Sequence, residues 1–225
     1  MTEKHGLHLL AKLPREFISK LLASERTLKL REGATLFERG DAGDGCYWLR
    51  RGVLSICVAS AAGDQRILAI LGPGAIVGEL AMIDGLPRSA TVQAVRDCEL
   101  TFVSRAAFTD MLNRHPQLYI DIVATLAARL RQSDEDMVAS SFLTVRARVA
   151  RALLHFALQL GKEAEPGRIL IQRRITQSDL AAMAGVARES VSRTFREWHR
   201  QKIVEGSSRN GYVVDKTKLE AAAAD

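Results

Sequence analysis

Val77 to Val92 reads VGELAMIDGLPRSATV. The stretch sets a carboxylate, Glu79, and a guanidinium, Arg88, among apolar residues and turn formers that otherwise read as buried sheet and tight turns. Taking a charge out of water is costly unless it is paired and hydrogen-bonded, so the two charges mark a place where the chain has a use for them. The flanking sequence supplies the sheet. From about Leu28 to Phe102, short runs of β-branched and apolar residues (YWLRRGVLSICVA, RILAIL, IVGEL, SATVQAV, ELTFV) alternate with glycine-bearing turns (REGA, RGDAGDG, SAAGDQ, LGPGA, IDGLP). Many short strands at that turn spacing predict an antiparallel barrel or sandwich.

Past this region the period changes. From Gln117 to about Ser140, Leu118, Ile122, Leu126, Leu130, Ser133, Met137 and Ser140 recur at steps of three and four. So narrow a seam predicts helix-on-helix packing and dimerisation; the alternative, an ordinary helix lying on its own barrel, wants a wider apolar stripe. VRARVARALLHFALQL, from Val145, reads as a second amphipathic helix, GKEAEPG as a turn and RILIQRRIT as a strand. Thr176 and Asp179 then open a short helix with a capping box, which carries Leu180, Ala181 and Met183 and stops at Gly185. A second helix starts near Arg188, with Val191, Phe195 and Trp198 inward and Arg188, Glu189, Ser192, Arg193 and Arg196 outward. Two short helices about a glycine turn, the second bearing arginines near its start, form a helix-turn-helix able to enter a major groove. SSRNG and YVVD follow as a β-hairpin, the wing of a winged variant, and the tail EAAAAD reads as disordered or frayed.

Composition narrows the function. At 225 residues and 47% hydrophobic, the chain has length for one large or two modest domains, each with its own core. No run of 18 apolar residues occurs and charges are scattered through MTEKHGLHLLAKLPREF, which argues against a membrane span or secretory leader and for the cytoplasm. Cys46, Cys57 and Cys98 are far apart and read as small buried hydrophobes, neither a disulfide framework nor a metal site. Residues 1–138 hold 17 Lys plus Arg and 17 Asp plus Glu, while residues 139–225 hold 15 and 9, so the net charge of +6 lies in the C-terminal part. That part is the candidate for a polyanion. No G-x-S-x-G, Walker A or H-E-x-x-H pattern points to an enzyme, and GPGAIVG has the wrong glycine spacing for a dinucleotide loop. His5, His8, His115, His155 and His199 sit in no haem- or cluster-ligating group.

Two motifs now stand in order: G-E-L-A (Gly78 to Ala81) with P-R-S-A-T-V (Pro87 to Val92), and I-T-Q-x-D-L-A (Ile175 to Ala181) with A-R-E-S-V-S-R (Ala187 to Arg193). With them the sequence, over nearly its whole length, resembles the cyclic AMP receptor protein / FNR family of bacterial transcription regulators. The resemblance implies an α+β chain: a cyclic-nucleotide-binding β-roll (jelly roll) over 1–116, a long dimerisation helix and hinge over 117–144, and a winged helix-turn-helix over 145–225.

It also implies roles. Arg88 would pair with the phosphate of a cyclic nucleotide through its planar fork, helped by the Ser89 hydroxyl and backbone N–H groups near Gly78, Leu80 and Ser89; Glu79 would accept from the ribose 2′-hydroxyl. Arg129 matches a family arginine near the phosphate. On the long helix, where cyclic AMP binders carry a Thr-Ser pair, this chain has Ser133 and Asp134. A carboxylate only accepts hydrogen bonds, and guanine offers it N1–H and the 2-amine side by side, so Asp134 admits cyclic GMP beside the default, cyclic AMP; a solvated Asp134 within the acidic run Asp134, Glu135, Asp136 is the alternative. For DNA, Arg188 and Arg193 suit guanine O6 and N7 and Glu189 a cytosine amine, as the family reads a TGTGA-like inverted repeat. Ser192 follows the FNR branch. Arg174, Arg196, Arg200, Lys202 and Arg209 read as phosphate contacts or plain surface charge. Homodimer formation, double-stranded DNA and RNA polymerase are the implied partners, with no metal. The competing reading is an FNR-type regulator with another effector or constitutive DNA binding, in which Arg88 and Glu79 form a structural ion pair.

Overall fold

A computed structural model describes residues 26–61, 63–172, 175–208 and 210–224, apart from the side chains of Asp121, Thr125, Arg129, Gln132, Asp136, Ala139 and Ser140. The roles assigned above to Arg129, Ser140, Arg174 and Arg209 therefore fall outside the described residues. The chain divides into two compact units, residues up to Val58 with Leu71–Ser133, and Ala59–Ile70 with Asp134 onward.

The first sheet contains β1 (Thr27–Leu30), β2 (Thr35–Phe37), β3 (Gly45–Ala59), β4 (Gln65–Leu71), β5 (Ile76–Val77) and β6 (Thr91–Ser104). Its order is β1-β6-β3-β4, with β2 also on β6 and β5 on β3. The long antiparallel ladder of β3 and β6 runs from Gly45 opposite Ser104 to Cys57 opposite Thr91. The ladder buries Leu49, Val53, Leu54 and Cys57 from one strand and Val92, Ala94, Cys98, Leu100, Thr101 and Val103 from the other, the strict alternation being broken where the register shifts. All three cysteines are buried, and burial pushes the Cys57 and Cys98 thiols above their ordinary range.

Three helices belong with this sheet: α1 (Glu79–Asp84), α2 (Arg105–Arg114) and the start of α3 (Leu118–Phe142). Ser104 caps α2 by accepting from the Ala107 N–H at 3.2 Å. Cys46, Ile76, Met82, Val103, Phe108, Met111, Leu112, Leu118 and Ile122 form one core cluster, with Leu126 packed against it. Two sequence expectations change here. IVGEL is a strand only to Val77, because Gly78 takes a left-handed conformation (φ 81°) and Glu79 starts a helix. SATVQAV and ELTFV are one continuous strand, β6.

The helical seam also divides. Leu118 and Ile122 are buried against the cluster above, whereas Leu130 and Met137 of the same seam are exposed, as are Ile120, Val123, Val138 and Phe142 off it. The first two turns of α3 thus behave as the helix lying on its own sheet, and the remainder leaves a broad apolar surface in this chain.

In the second unit, Thr144 caps α4 (Val145–Leu160) through the Ala147 N–H at 3.2 Å. The helix buries Val149, Ala150, Leu153, Phe156, Ala157 and Leu160. There follow β7 (Lys162–Glu165), β8 (Arg168–Ile171), α5 (Gln177–Ala184), α6 (Arg188–Arg200), β9 (Val204–Ser207), β10 (Gly211–Asp215) and α7 (Lys216–Ala222). The strands form an antiparallel sheet, β7-β8-β10-β9. The capping box of Thr176 and Asp179 is present, and α5 ends at Gly185 (φ 63°). The β9–β10 hairpin is the expected wing. GKEAEPG, read as a turn, contributes β7, a fully exposed edge strand; the tail forms α7, capped by Asp215 and anchored by buried Leu219 and Ala222. The architecture is therefore α+β, an N-terminal sheet domain and a C-terminal winged helix-turn-helix.

Trp198 lies fully buried at the centre of that second core, its ring 5.7 Å from Phe195, which stands 5.4 Å from Tyr212. Trp198→Ala is expected to cost about 3–5 kcal/mol of stability, measured by urea denaturation followed by far-UV circular dichroism; a loss under about 1 kcal/mol would contradict this packing.

Candidate functional site

Arg88 is 4% exposed, and the structure shows how a guanidinium is kept there. Its backbone N–H donates to Asp41 O at 2.8 Å, and its carbonyl accepts from the Gly40 N–H at 2.9 Å, so the loop before β3 and the loop before β6 are laced together. The side chain turns inward: Nη1 donates to Gly45 O at 2.8 Å and to Gly78 O at 2.6 Å. The Phe37 ring lies under the guanidinium, 4.4 Å from its carbon, and the Tyr47 ring stands at 6.0 Å. Cation–π contact of this kind contributes about 0.5–2 kcal/mol. Burial raises the Tyr47 phenol above its ordinary value, and the Arg88 charge draws it partly back.

Glycines make the space. A Cβ at Gly43 would fall 2.7 Å from Arg88 Cζ and 2.8 Å from the Ala81 Cβ, and one at Gly78 would overlap Arg88 Nη1. Gly78 also holds the left-handed turn from β5 into α1, which L side chains adopt only at a cost. Two partners thus fix Nη1, while Nε is buried and meets no hydrogen-bond partner among the described residues. An anionic oxygen would give such a buried donor, on a charged group, a charge-assisted partner. The residues fit a phosphate.

Glu79 is equally buried, at 4% exposed, and opens α1 in the turn next to Gly78. Leu80 and Ser89 are exposed. Gly78, Glu79, Leu80, Arg88 and Ser89 therefore cluster at one end of the sheet. Ser133 and Asp134 are exposed on α3, on either side of the division between the two units. Sequence reasoning missed Phe37, Gly43 and Gly45, which reach Arg88 from 51, 45 and 43 positions away in the chain; only the GDAGDG turn hinted at the two glycines, as a glycine-rich loop with no assigned use, and Phe37 gave no signal.

The second candidate surface lies on α6. Arg188, Glu189, Arg193 and Arg196 are exposed and Ser192 is half-buried, while Val191, Phe195 and Trp198 face the core. Arg188, Glu189, Ser192, Arg193 and Arg196 line one open groove together with Gln177. Gln177 was not singled out from the sequence; its place as the first residue of α5, beside the capping Thr176, was the available signal. Among the described residues no helix is long and apolar enough to cross a membrane.

Comparison with known proteins fits both surfaces. A family model, the cyclic nucleotide-binding domain, matches residues 27–115, and a second, the Crp-like helix-turn-helix domain, matches residues 147–222. The chain is 36% identical over 174 residues to a cyclic AMP receptor protein of Thermus thermophilus, covering 77% of this chain and 76% of that one. The chain belongs to the CRP/FNR family. It is also 26% identical over 191 residues to a CRP-like cAMP-activated global transcriptional regulator of Mycobacterium tuberculosis, covering 85% of each. FixK2 from Bradyrhizobium japonicum shares the fold with a TM-score of 0.75 at 21% identity, over 89% of this chain and 98% of that one. This family member is a DNA-binding transcription regulator with a cyclic nucleotide-binding domain, and none of these matches indicates a catalytic family.

The cradle gives a direct check. Gly78→Ala is expected to lower stability by more than Gly33→Ala, since both sit near φ +80° but only Gly78 faces a neighbour, while Gly33 has open space. The strain common to both is about 1–3 kcal/mol. Urea denaturation of the pair reads the difference, and equal losses would mean that Arg88 does not occupy the space beside Gly78.

Proposed function

We propose that this chain is a regulator whose DNA binding answers to a cyclic nucleotide, with cyclic AMP the principal effector, and that it acts as a homodimer on an inverted repeat. The observation that carries the reading is the buried Arg88 fork, with Nη1 spent on two carbonyls and Nε unpartnered among the described residues. In this reading Arg88 pairs with the cyclic phosphate, Ser89 and the N–H groups at the start of α1 support it, Glu79 accepts from the 2′-hydroxyl, and Arg129 adds charge. Ser133 and Asp134 meet the base. Asp134 extends the range to cyclic GMP, whose two-donor edge suits a carboxylate. The names of both curated relatives, which carry cyclic AMP, favour that nucleotide as the default.

For DNA, Arg188 and Arg193 read guanines and Glu189 a cytosine amine, Ser192 touches the outer bases, and Arg196 and Gln177 hold phosphates. Two recognition helices about 34 Å apart would read successive major grooves. The exposed apolar positions of α3 supply the dimer surface, and RNA polymerase is the expected protein partner. The division into effector domain (1–116), dimerisation helix and hinge (117–144) and DNA-binding domain (145–225) is supported by the two family matches, each of which falls within one of these segments.

Titration calorimetry of nucleotide-stripped protein tests the effector. Truncating one partner of a buried charge pair costs about 2–5 kcal/mol, so Arg88→Ala is expected to weaken cyclic AMP by roughly 30-fold or more. Asp134→Ser is expected to weaken cyclic GMP alone, by about 1–3 kcal/mol. Retained nucleotide affinity and nucleotide-dependent DNA binding in Arg88→Ala would sink the scheme. On DNA, Glu189→Ala is expected to relax discrimination at one base pair by about 1–3 kcal/mol, and Arg196→Ala to weaken all sequences evenly and reduce the salt slope by about 1; fluorescence anisotropy against salt separates the two. A base-specific loss in Arg196→Ala would reassign it.

A further inference from the structure

The cage around Arg88 has an outer fastening that the effector reading leaves without a role. Arg105, the first residue of α2, carries its side chain back to the cassette, where Nη2 donates to Ala81 O at 2.6 Å and to Gly43 O at 3.2 Å. Its own backbone N–H donates to Asp44 O at 2.7 Å. Ala81 belongs to α1 and Gly43 to the loop before β3, the two walls whose separation admits the Arg88 guanidinium. One guanidinium therefore spans, from outside, the gap that the other fills.

α1 has particular need of such a tie. It is six residues long, its N-cap makes no side-chain hydrogen bond, and its last turn holds no basic residue. A helix this short cannot be held by its own hydrogen bonds, and its C-terminal carbonyls want donors and positive charge. The Gly85 N–H meets Ala81 O at 3.1 Å, and the Arg105 cation adds a charge-assisted bond to the same oxygen.

We propose that Arg105 is a positioning residue for the phosphate subsite: without touching the ligand, it sets the distance between α1 and the Gly43 loop, and so the direction in which the Arg88 fork points. The proposal rests on the cyclic-nucleotide reading above. Displacing the fork would change both the affinity for a cyclic phosphate and the preference between its two non-bridging oxygens, which differ in direction.

The test uses the full chain and three probes: cyclic AMP and the Rp and Sp phosphorothioates, in which sulfur replaces one or the other non-bridging oxygen. Arg105→Ala is expected to bind cyclic AMP roughly 10- to 100-fold more weakly, by analogy with groups that orient metal-ligating side chains, and to bring the Rp and Sp affinities closer together. Arg105→Lys, which keeps a cation and a donor for Ala81 O, is expected to recover part of both. Unchanged affinity in Arg105→Ala, or a loss shared equally by all three probes, overturns the inference. If Arg105→Ala does not fold, a phosphorothioate ratio in Arg105→Lys identical to that of the unsubstituted protein overturns it as well. No binding of cyclic AMP by the unsubstituted protein would instead remove the effector reading, and this inference with it; Arg88→Ala losing binding while Arg105→Ala keeps its affinity and ratio removes this inference alone.

Discussion

The first unit is organised around one buried cation. Arg88 sits within the sheet's end at 4% exposure, where a guanidinium stripped of water must find acceptors for its N–H groups and an apolar face to lie on. Gly45 O and Gly78 O accept from Nη1 and the Phe37 ring covers a face. These partners come from three different segments, so holding the charge also fixes the start of β3, the turn into α1 and strand β2 relative to one another. What they do not supply is a partner for Nε. A buried donor left unmade costs about 1–3 kcal/mol, and an anionic oxygen recovers it with a charge-assisted bond.

The motif residues of the site were legible because they are local. Gly78, Glu79, Arg88 and Ser89 lie within twelve positions, and a carboxylate and guanidinium in a turn-rich apolar stretch stand out against ordinary burial rules. The cage was not legible. Phe37 reads as an unremarked strand residue and Gly43 as one glycine of a loop, and only the pairing of β2 and β3 on β6 brings them to Arg88. Arg105 is further removed still, since a surface-helix arginine gives no sign in sequence that its side chain folds back onto Ala81 O. On α6 the reverse holds: a helix shows its faces by period, and the outward set of Arg188, Glu189, Ser192, Arg193 and Arg196 was read correctly, while Gln177 joined them only through the angle between α5 and α6.

The fold's legibility followed apolar burial in the same way. β3, the two ends of β6, α4 and the helix-turn-helix bury sets of side chains that the sequence showed, although the continuity of β6 was missed. β7 buries none, so KEAE carried no strand signal. α7 was hidden by an alanine-rich sequence whose two anchors, Leu219 and Ala222, look unremarkable until the Asp215 cap places them on one face. At Gly78 a period-2 reading ran past its end because a glycine inside an apolar run can continue a strand or break it, and the left-handed turn decides only in three dimensions.

α3 sets a limit on how the proposed regulator can respond. Its early turns bury Leu118 and Ile122 in the first unit, and residues 134–142 are grouped with the second, so one helix belongs to both. Ile120 and Phe142 leave 73% and 82% of their surface in water, an apolar exposure that a second copy would remove. A ligand shifts a two-state equilibrium only by its differential affinity for the two states. In the proposed scheme the phosphate end meets an Arg88 fork held by Gly45 O, Gly78 O and the Phe37 ring, and contributes affinity more than bias. In the proposed scheme the bias must come from contacts made on α3, where Ser133 and Asp134 stand exposed. The base, rather than the phosphate, is then the part of the nucleotide that instructs the DNA-binding unit, and effector identity and effector response become one property of the same two side chains.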